Sequence, residues 1–147
     1  MDHLPIFINI RKKPCIVIGG GDIALRKINL LLKAQAKVIC LSPLFCKGIK
    51  NLSKDGHITL INKSFDQTDI KDYSIIIAAT DDSSVNSSIS AIAQVKKIPV
   101  NVVDSPELSS FIMPSIVDRS PLIIAVSSSG KAPVLSRIIR AKLETVI

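Results

Sequence analysis

Cys15-Ile16-Val17-Ile18-Gly19-Gly20-Gly21-Asp22-Ile23-Ala24 is the stretch that decides the fold: an apolar, β-branched run breaks into glycines and then into a helix-periodic pattern. From Gly19 to Ala24 the spacing reads G-x-G-x-x-A. Gly19 lets the chain turn sharply off a strand, Gly21 lets the backbone approach a pyrophosphate, and Ala24 is small enough for the helix to pack closely on the strand. The start of that helix offers free N–H groups and the positive end of its dipole to phosphate. Three glycines after a strand can equally mark a plain tight turn, so the flanking sequence has to decide. Ile23, Leu25, Ile28, Leu31 and Leu32 recur at helical spacing, and a second β-branched run, Lys37 to Leu41, follows at the distance a βαβ unit requires. The acidic residue expected after that second strand, to hold the adenosine ribose, is missing from Cys40-Leu41-Ser42-Pro43-Leu44. Ser42 offers only a weaker hydrogen bond and no arginine stands there for a ribose phosphate, so the residues alone leave NAD and NADP both open.

Outward from this unit, strands and helices continue to alternate. Upstream, Pro5 to Ile10 alternates apolar and polar residues before the turn Arg11-Lys12-Lys13-Pro14, which predicts a hairpin-like entry to the sheet. Downstream, Phe45 to Asp55 reads as a short helix or a loop, and His57 to Ile61 as a strand. Ser74 to Thr80 is a continuous apolar run, the pattern of a parallel strand buried on both faces. Asp82 can cap a helix over Ser83 to Lys97, whose Val85, Ile89, Ile92 and Ala93 recur at helical spacing. Pro99 to Val103 is the next strand, with proline at its start where a missing N–H is tolerated. The pattern then changes: Phe111 to Val117 and Leu122 to Ser127 read as two strands joined by the turn Asp118-Arg119-Ser120-Pro121. A polar loop, Ser127 to Pro133, leads into a last helix with the stripe Leu135, Ile138, Ile139, Leu143 and Val146, which is still running where the sequence stops. This predicts a doubly wound parallel α/β sheet over residues 1–113 and the start of a smaller α+β subdomain over residues 114–147.

Composition narrows the function classes. With 147 residues, 47% of them hydrophobic, the chain is long enough for one domain with a real core. No apolar run approaches the roughly 20 residues needed to span a bilayer, and Met1-Asp2-His3 lacks the basic start of a signal peptide, so a cytoplasmic protein without membrane contact is expected. Cys15, Cys40 and Cys46 form no C-x-x-C pair, and His3 and His57 are far apart in sequence, which predicts reduced thiols and no resident metal site. The net charge of +7 is spread over scattered lysines. At 3% aromatic residues and no tryptophan, the chain lacks a base-stacking platform, so nucleic acid is not the expected partner. What remains is a generally solvated basic surface or a field that steers a small, highly carboxylated substrate.

Several blocks taken together resemble the N-terminal part of siroheme synthase, the precorrin-2 dehydrogenase/sirohydrochlorin ferrochelatase module. They are Met1 to Phe7, Gly19 to Ala24, Ala78-Ala79-Thr80-Asp81-Asp82, Asn101-Val102-Val103-Asp104, Ser109 to Ile116, Asp118 to Leu122 and Ala125 to Ser128. The resemblance spans essentially the whole chain. It implies a Rossmann-like domain followed by the start of a dimerisation subdomain, and a homodimer. It also implies NAD as cofactor and oxidation of precorrin-2 to sirohydrochlorin, then insertion of ferrous iron, as substrate, to give sirohaem. It places cofactor contacts at Asp22 and Ile23, beside Gly19 and Gly21, and at Pro43 and Leu44.

Asp104 follows the predicted strand Pro99 to Val103 at the carboxyl edge of the sheet, where doubly wound folds bind ligands, and it matches the aspartate that the family associates with both reactions. A rival reading makes Asp104 a helix cap, because Asp104-Ser105-Pro106-Glu107 places an acid three residues later. Tetrapyrrole substrates of this class carry many carboxylates, for which Arg119, Lys131, Arg137 and Arg140 are candidate partners. Ser128 matches a serine phosphorylated in the family, and also suits a loop that caps the last helix. Two alternatives keep the fold without turnover: a nucleotide-binding regulatory module, and a truncated remnant of the longer enzyme.

Overall fold

In the computed structural model, which describes all 147 residues, the apolar run before the glycines is strand β1 (Pro14–Ile18) at the centre of a five-stranded sheet. Helix α1 (Asp22–Lys33) leads to β2 (Lys37–Ser42), and α2 (Lys47–Lys54) leads to β3 (Ile58–Asn62). The chain then crosses to the other side of β1 for β4 (Ile75–Ala78), α3 (Ser83–Val95) and β5 (Val100–Val102). All neighbours are parallel in the order β3-β2-β1-β4-β5, which is the doubly wound order with its switch point between β1 and β4. β1 and β4 are the most apolar strands because both faces are covered: Ile16, Ile18, Ile76 and Ala78 join Ile89 and Ala93 of α3 in one buried cluster. Helix α1 packs against β1 and β2 through a face that buries Ala24, Ile28 and Leu31.

The upstream hairpin does not form. Both edges of β1 are taken, by β2 and β4, so residues 6–10 have no ladder to join. Only a turn remains, in which Lys13 N–H donates to the Ile10 carbonyl at 3.0 Å, and Ile6, Phe7 and Ile8 stay exposed.

Residues Ile6–Ser110 make up one compact unit; Met1–Pro5 with Phe111–Ile147 make up another. Within the second, β6 (Ser115–Arg119) and β7 (Leu122–Val126) pair as an antiparallel hairpin, and α4 (Pro133–Val146) packs on both. β6 begins later than the expected Phe111, because its ladder with β7 ends at the Ser115–Val126 pair and Pro114 has no N–H to extend it. Helix α4 buries only Ser136, leaving Leu135, Ile138 and Ile139 exposed.

Candidate active site

The glycine turn is where three loops close on one another. Gly19 has φ +133°, and a Cβ there would overlap the Ala79 carbonyl at the end of β4, so the ends of β1 and β4 meet at backbone distance. A Cβ on Gly20 would overlap the Leu44 carbonyl and lie 2.8 Å from Ser42 Oγ. The loop after β2 is tied there by the Cys46 N–H, which donates to the Gly20 carbonyl at 2.7 Å. Gly21 differs: nothing lies within 4 Å of where its Cβ would be. It is the N-cap of α1 and offers no side-chain bond to the helix's first N–H groups, which are therefore left for a ligand. Helix α3 also starts at this rim, but Asp82 caps it, accepting from Ser84 N–H at 2.9 Å and Val85 N–H at 3.1 Å. Thr80 and Asn86 brace that second loop through a 2.6 Å side-chain hydrogen bond.

Gly19, Gly21, Asp22, Ile23, Pro43 and Leu44 all line a single cavity of about 950 Å³ over the switch point. An open backbone cradle at Gly21, an uncapped helix start and a volume of this size fit a dinucleotide. Ser42 lines the same cavity but is only 8% exposed, and its hydroxyl accepts the Leu44 N–H at 3.4 Å. Shape and backbone at Pro43 and Leu44 stand where a ribose carboxylate was expected.

A second cavity of about 450 Å³ adjoins the first, and Ile23 lines both. Asp104 also lines it, directly past β5, with backbone φ +60° in the left-handed region, which aspartate tolerates better than most residues. The exposed carboxylate is not a cap. Ser105, rather than Asp104, stands before the 3-10 turn Pro106–Leu108, and neither side chain bonds that turn's N–H groups. Arg26 and Lys27 of α1, which sequence reasoning missed, line the same cavity. Lys27 is half-buried, and its ammonium is held below its ordinary pKa, first by burial and then by Arg26, with Asp104 acting in the opposite direction.

The remaining candidates lie in the second unit. Arg119 is exposed and donates to the Asp118 carbonyl at 3.2 Å. Lys131 pairs with Asp2 at 2.5 Å, an exposed ion pair worth well under about 1 kcal/mol. Arg140 is engaged within the fold, donating to the Ile116 carbonyl at 2.9 Å and pairing with Glu144 at 2.6 Å. Ser128 Oγ accepts the Ala132 N–H at 2.8 Å, so it secures the start of α4. No group of three or more His, Cys, Asp or Glu side chains is gathered anywhere, and no helix is long and apolar enough to cross a membrane.

Fold and site together define a dinucleotide-binding α/β domain. The chain belongs to the family described as putative NAD(P)-binding, which matches residues 6–115. The family described as sirohaem biosynthesis protein central matches residues 119–145. The resemblance to siroheme synthase is borne out by relatives that align with this whole chain: the siroheme synthase of Ruthia magnifica subsp. Calyptogena magnifica is 56% identical, and that of Vesicomyosocius okutanii subsp. Calyptogena okutanii (strain HA) is 54% identical. The chain spans 31% and 32% of those two proteins, about a third of their length. Among solved structures, SirC, a precorrin-2 dehydrogenase, aligns with 99% of this chain and 71% of its own at a TM-score of 0.79 and 23% identity, which bears out the fold.

The cysteines give a first test of the cavity. Burial pushes the Cys15 thiol up to about 11 and that of Cys40 to about 12, and Cys40 also donates to the Gly19 carbonyl at 3.2 Å. Both stay protonated near neutral pH and are poor nucleophiles. Half-buried Cys46 lines the cavity. Brief alkylation near neutral pH is expected to modify Cys46 first, and NAD is expected to slow it. Peptide mass spectrometry checks this; fast labelling of Cys40 in the folded chain would count against the packing described.

Proposed function

We propose that this chain oxidises precorrin-2 to sirohydrochlorin with NAD, and that ferrous iron is then inserted at the same edge of the sheet to give sirohaem. The observation that carries this reading is Asp104: an exposed carboxylate, on a left-handed turn past β5, facing a cavity that shares Ile23 with the dinucleotide cavity. The siroheme synthase relatives and the name of the matching structure support the choice of substrate.

When bound, NAD supplies the hydride acceptor. The backbone around Gly19, Gly21, Asp22 and Ile23 holds the pyrophosphate, and Pro43 and Leu44 bound the adenosine end. The resemblance to siroheme synthase favours NAD over NADP, a choice that Ser42-Pro43-Leu44 alone leaves open. As a hydride leaves the substrate carbon framework, Asp104 takes the accompanying proton and passes it to solvent. In chelation the same carboxylate accepts pyrrole N–H protons as ferrous iron enters. Arg119 and Lys131 are the second unit's candidates for substrate carboxylates. A phosphate on Ser128 would repel such a substrate. Residues 114–147 belong to a dimerisation subdomain in this reading, with the exposed stripe of α4 covered by a second copy in a cytoplasmic homodimer.

An anaerobic mixture of the chain with precorrin-2 tests the activity by absorbance. Sirohydrochlorin is expected only after NAD is added, and sirohaem only after ferrous iron follows. Conversion at the same rate with and without NAD would overturn the dehydrogenase reading.

A further inference from the structure

Three cations, Arg26, Lys27 and Lys33, line the smaller cavity with Asp104, and none of them is in an ion pair. An unpaired cation at the surface is ordinary, but Lys27 is half-buried, and an ammonium taken out of water without a partner costs free energy that a bound anion would return. Lys27 and Asp104 face the same space without closing into a pair, so the carboxylate does not satisfy the cavity's positive charge. Ile23, Leu30 and Val103 supply an apolar floor between the charges. An apolar floor under two cationic heads matches a short methylene chain that ends in a carboxylate. At about 450 Å³ the cavity has room for such an arm and not for a whole tetrapyrrole, whose ring would lie outside it.

We propose that this cavity is a carboxylate-anchoring site, in which Arg26 and Lys27 receive one acidic side arm of the tetrapyrrole and so hold the ring against Asp104. The inference rests on the proposed substrate, and it adds recognition residues on α1 to a site otherwise defined by Asp104 and the glycine turn. Arg26 offers a planar fork to both carboxylate oxygens, and Lys27 a point charge deeper in the cavity. The anchor lies one turn along α1 from the pyrophosphate cradle, so the helix that holds the cofactor also sets the substrate's distance from it.

Titration of the whole chain with sirohydrochlorin, followed by its visible absorbance, tests this without requiring turnover. Arg26→Gln and Lys27→Gln are each expected to weaken binding roughly tenfold or more, the usual consequence of losing a hydrogen bond between charged groups. Lys27→Arg is expected to recover most of the loss, and NAD affinity and urea unfolding are expected to stay at wild-type values. Both glutamine variants binding like wild type, or wild type failing to bind sirohydrochlorin, would overturn the anchor. A wild-type chain that binds through these residues yet never oxidises precorrin-2 would uphold the anchor and remove the proposed activity. The reverse pattern, oxidation by wild type with both variants binding normally, would remove the anchor alone.

Discussion

Gly20→Ala is expected to cost about 3 kcal/mol or more of folding stability, because its new methyl group must displace backbone rather than a side chain. A Cβ at this position overlaps the Leu44 carbonyl, and the loop carrying Leu44 is tied to Gly20 by the Cys46 N–H. With total stabilities of about 5–15 kcal/mol, such a loss is a large shift in the urea midpoint. Gly21→Ala, one residue along, has the opposite signature. Nothing lies within 4 Å of its new methyl, so the loss of stability is expected to stay within about 1 kcal/mol, the preference for glycine over alanine at an N-cap. The methyl instead enters the space assigned to the pyrophosphate, and NAD affinity is expected to fall by at least tenfold, about 1.4 kcal/mol. Paired urea melts and NAD titrations separate the two glycines. Equal stability of both variants would mean that the loop after β2 does not close on the turn as described.

Asp104→Asn is expected to reduce precorrin-2 oxidation by roughly 10²–10⁴-fold, the usual contribution of a positioned general base, with NAD affinity unchanged. Asparagine is the informative replacement because it keeps the shape and tolerates φ +60°, where alanine would add backbone strain to the loss of the carboxylate. The variant also removes the group that raises the Lys27 pKa, so Lys27 is expected to lose its proton at still lower pH and to react faster with an amine acylating reagent at fixed pH. Steady-state oxidation rates and lysine labelling measured on one preparation check both consequences. Undiminished oxidation by Asp104→Asn would take Asp104 out of the proton transfer.

What could be read ahead of the structure was what local rules determine. The glycines after Ile18 announced the turn, and Asp82 announced the start of α3, because a turn and a cap are set by a few adjacent residues. Gly19 and Gly21 followed from the glycine spacing, whereas Asp22, Ile23, Pro43 and Leu44 came from the family resemblance; all six line one cavity because consecutive parallel strands end on the same side of a βαβ unit. The alternation over Pro5 to Ile10 misled, because a period-2 pattern carries no information on whether a neighbouring strand has a free edge, and β1 has none. The cap reading of Asp104 failed for a similar reason: the acid spacing fits a box, but the left-handed turn at Asp104 puts Ser105 in the capping position. Arg26 and Lys27 fall between the apolar positions of an amphipathic helix, where no local pattern marks a site. Their place in one cavity with Asp104 arises only when β4 and β5 are laid beside β1, a pairing between distant parts of the chain that no local pattern encodes.

The dehydrogenase reading is tested most directly by counting, under anaerobic conditions, the NADH formed against the precorrin-2 consumed by the wild-type chain. The expected result is equal amounts, with sirohydrochlorin as the product and no NADH when precorrin-2 is left out. Loss of precorrin-2 without NADH would contradict it.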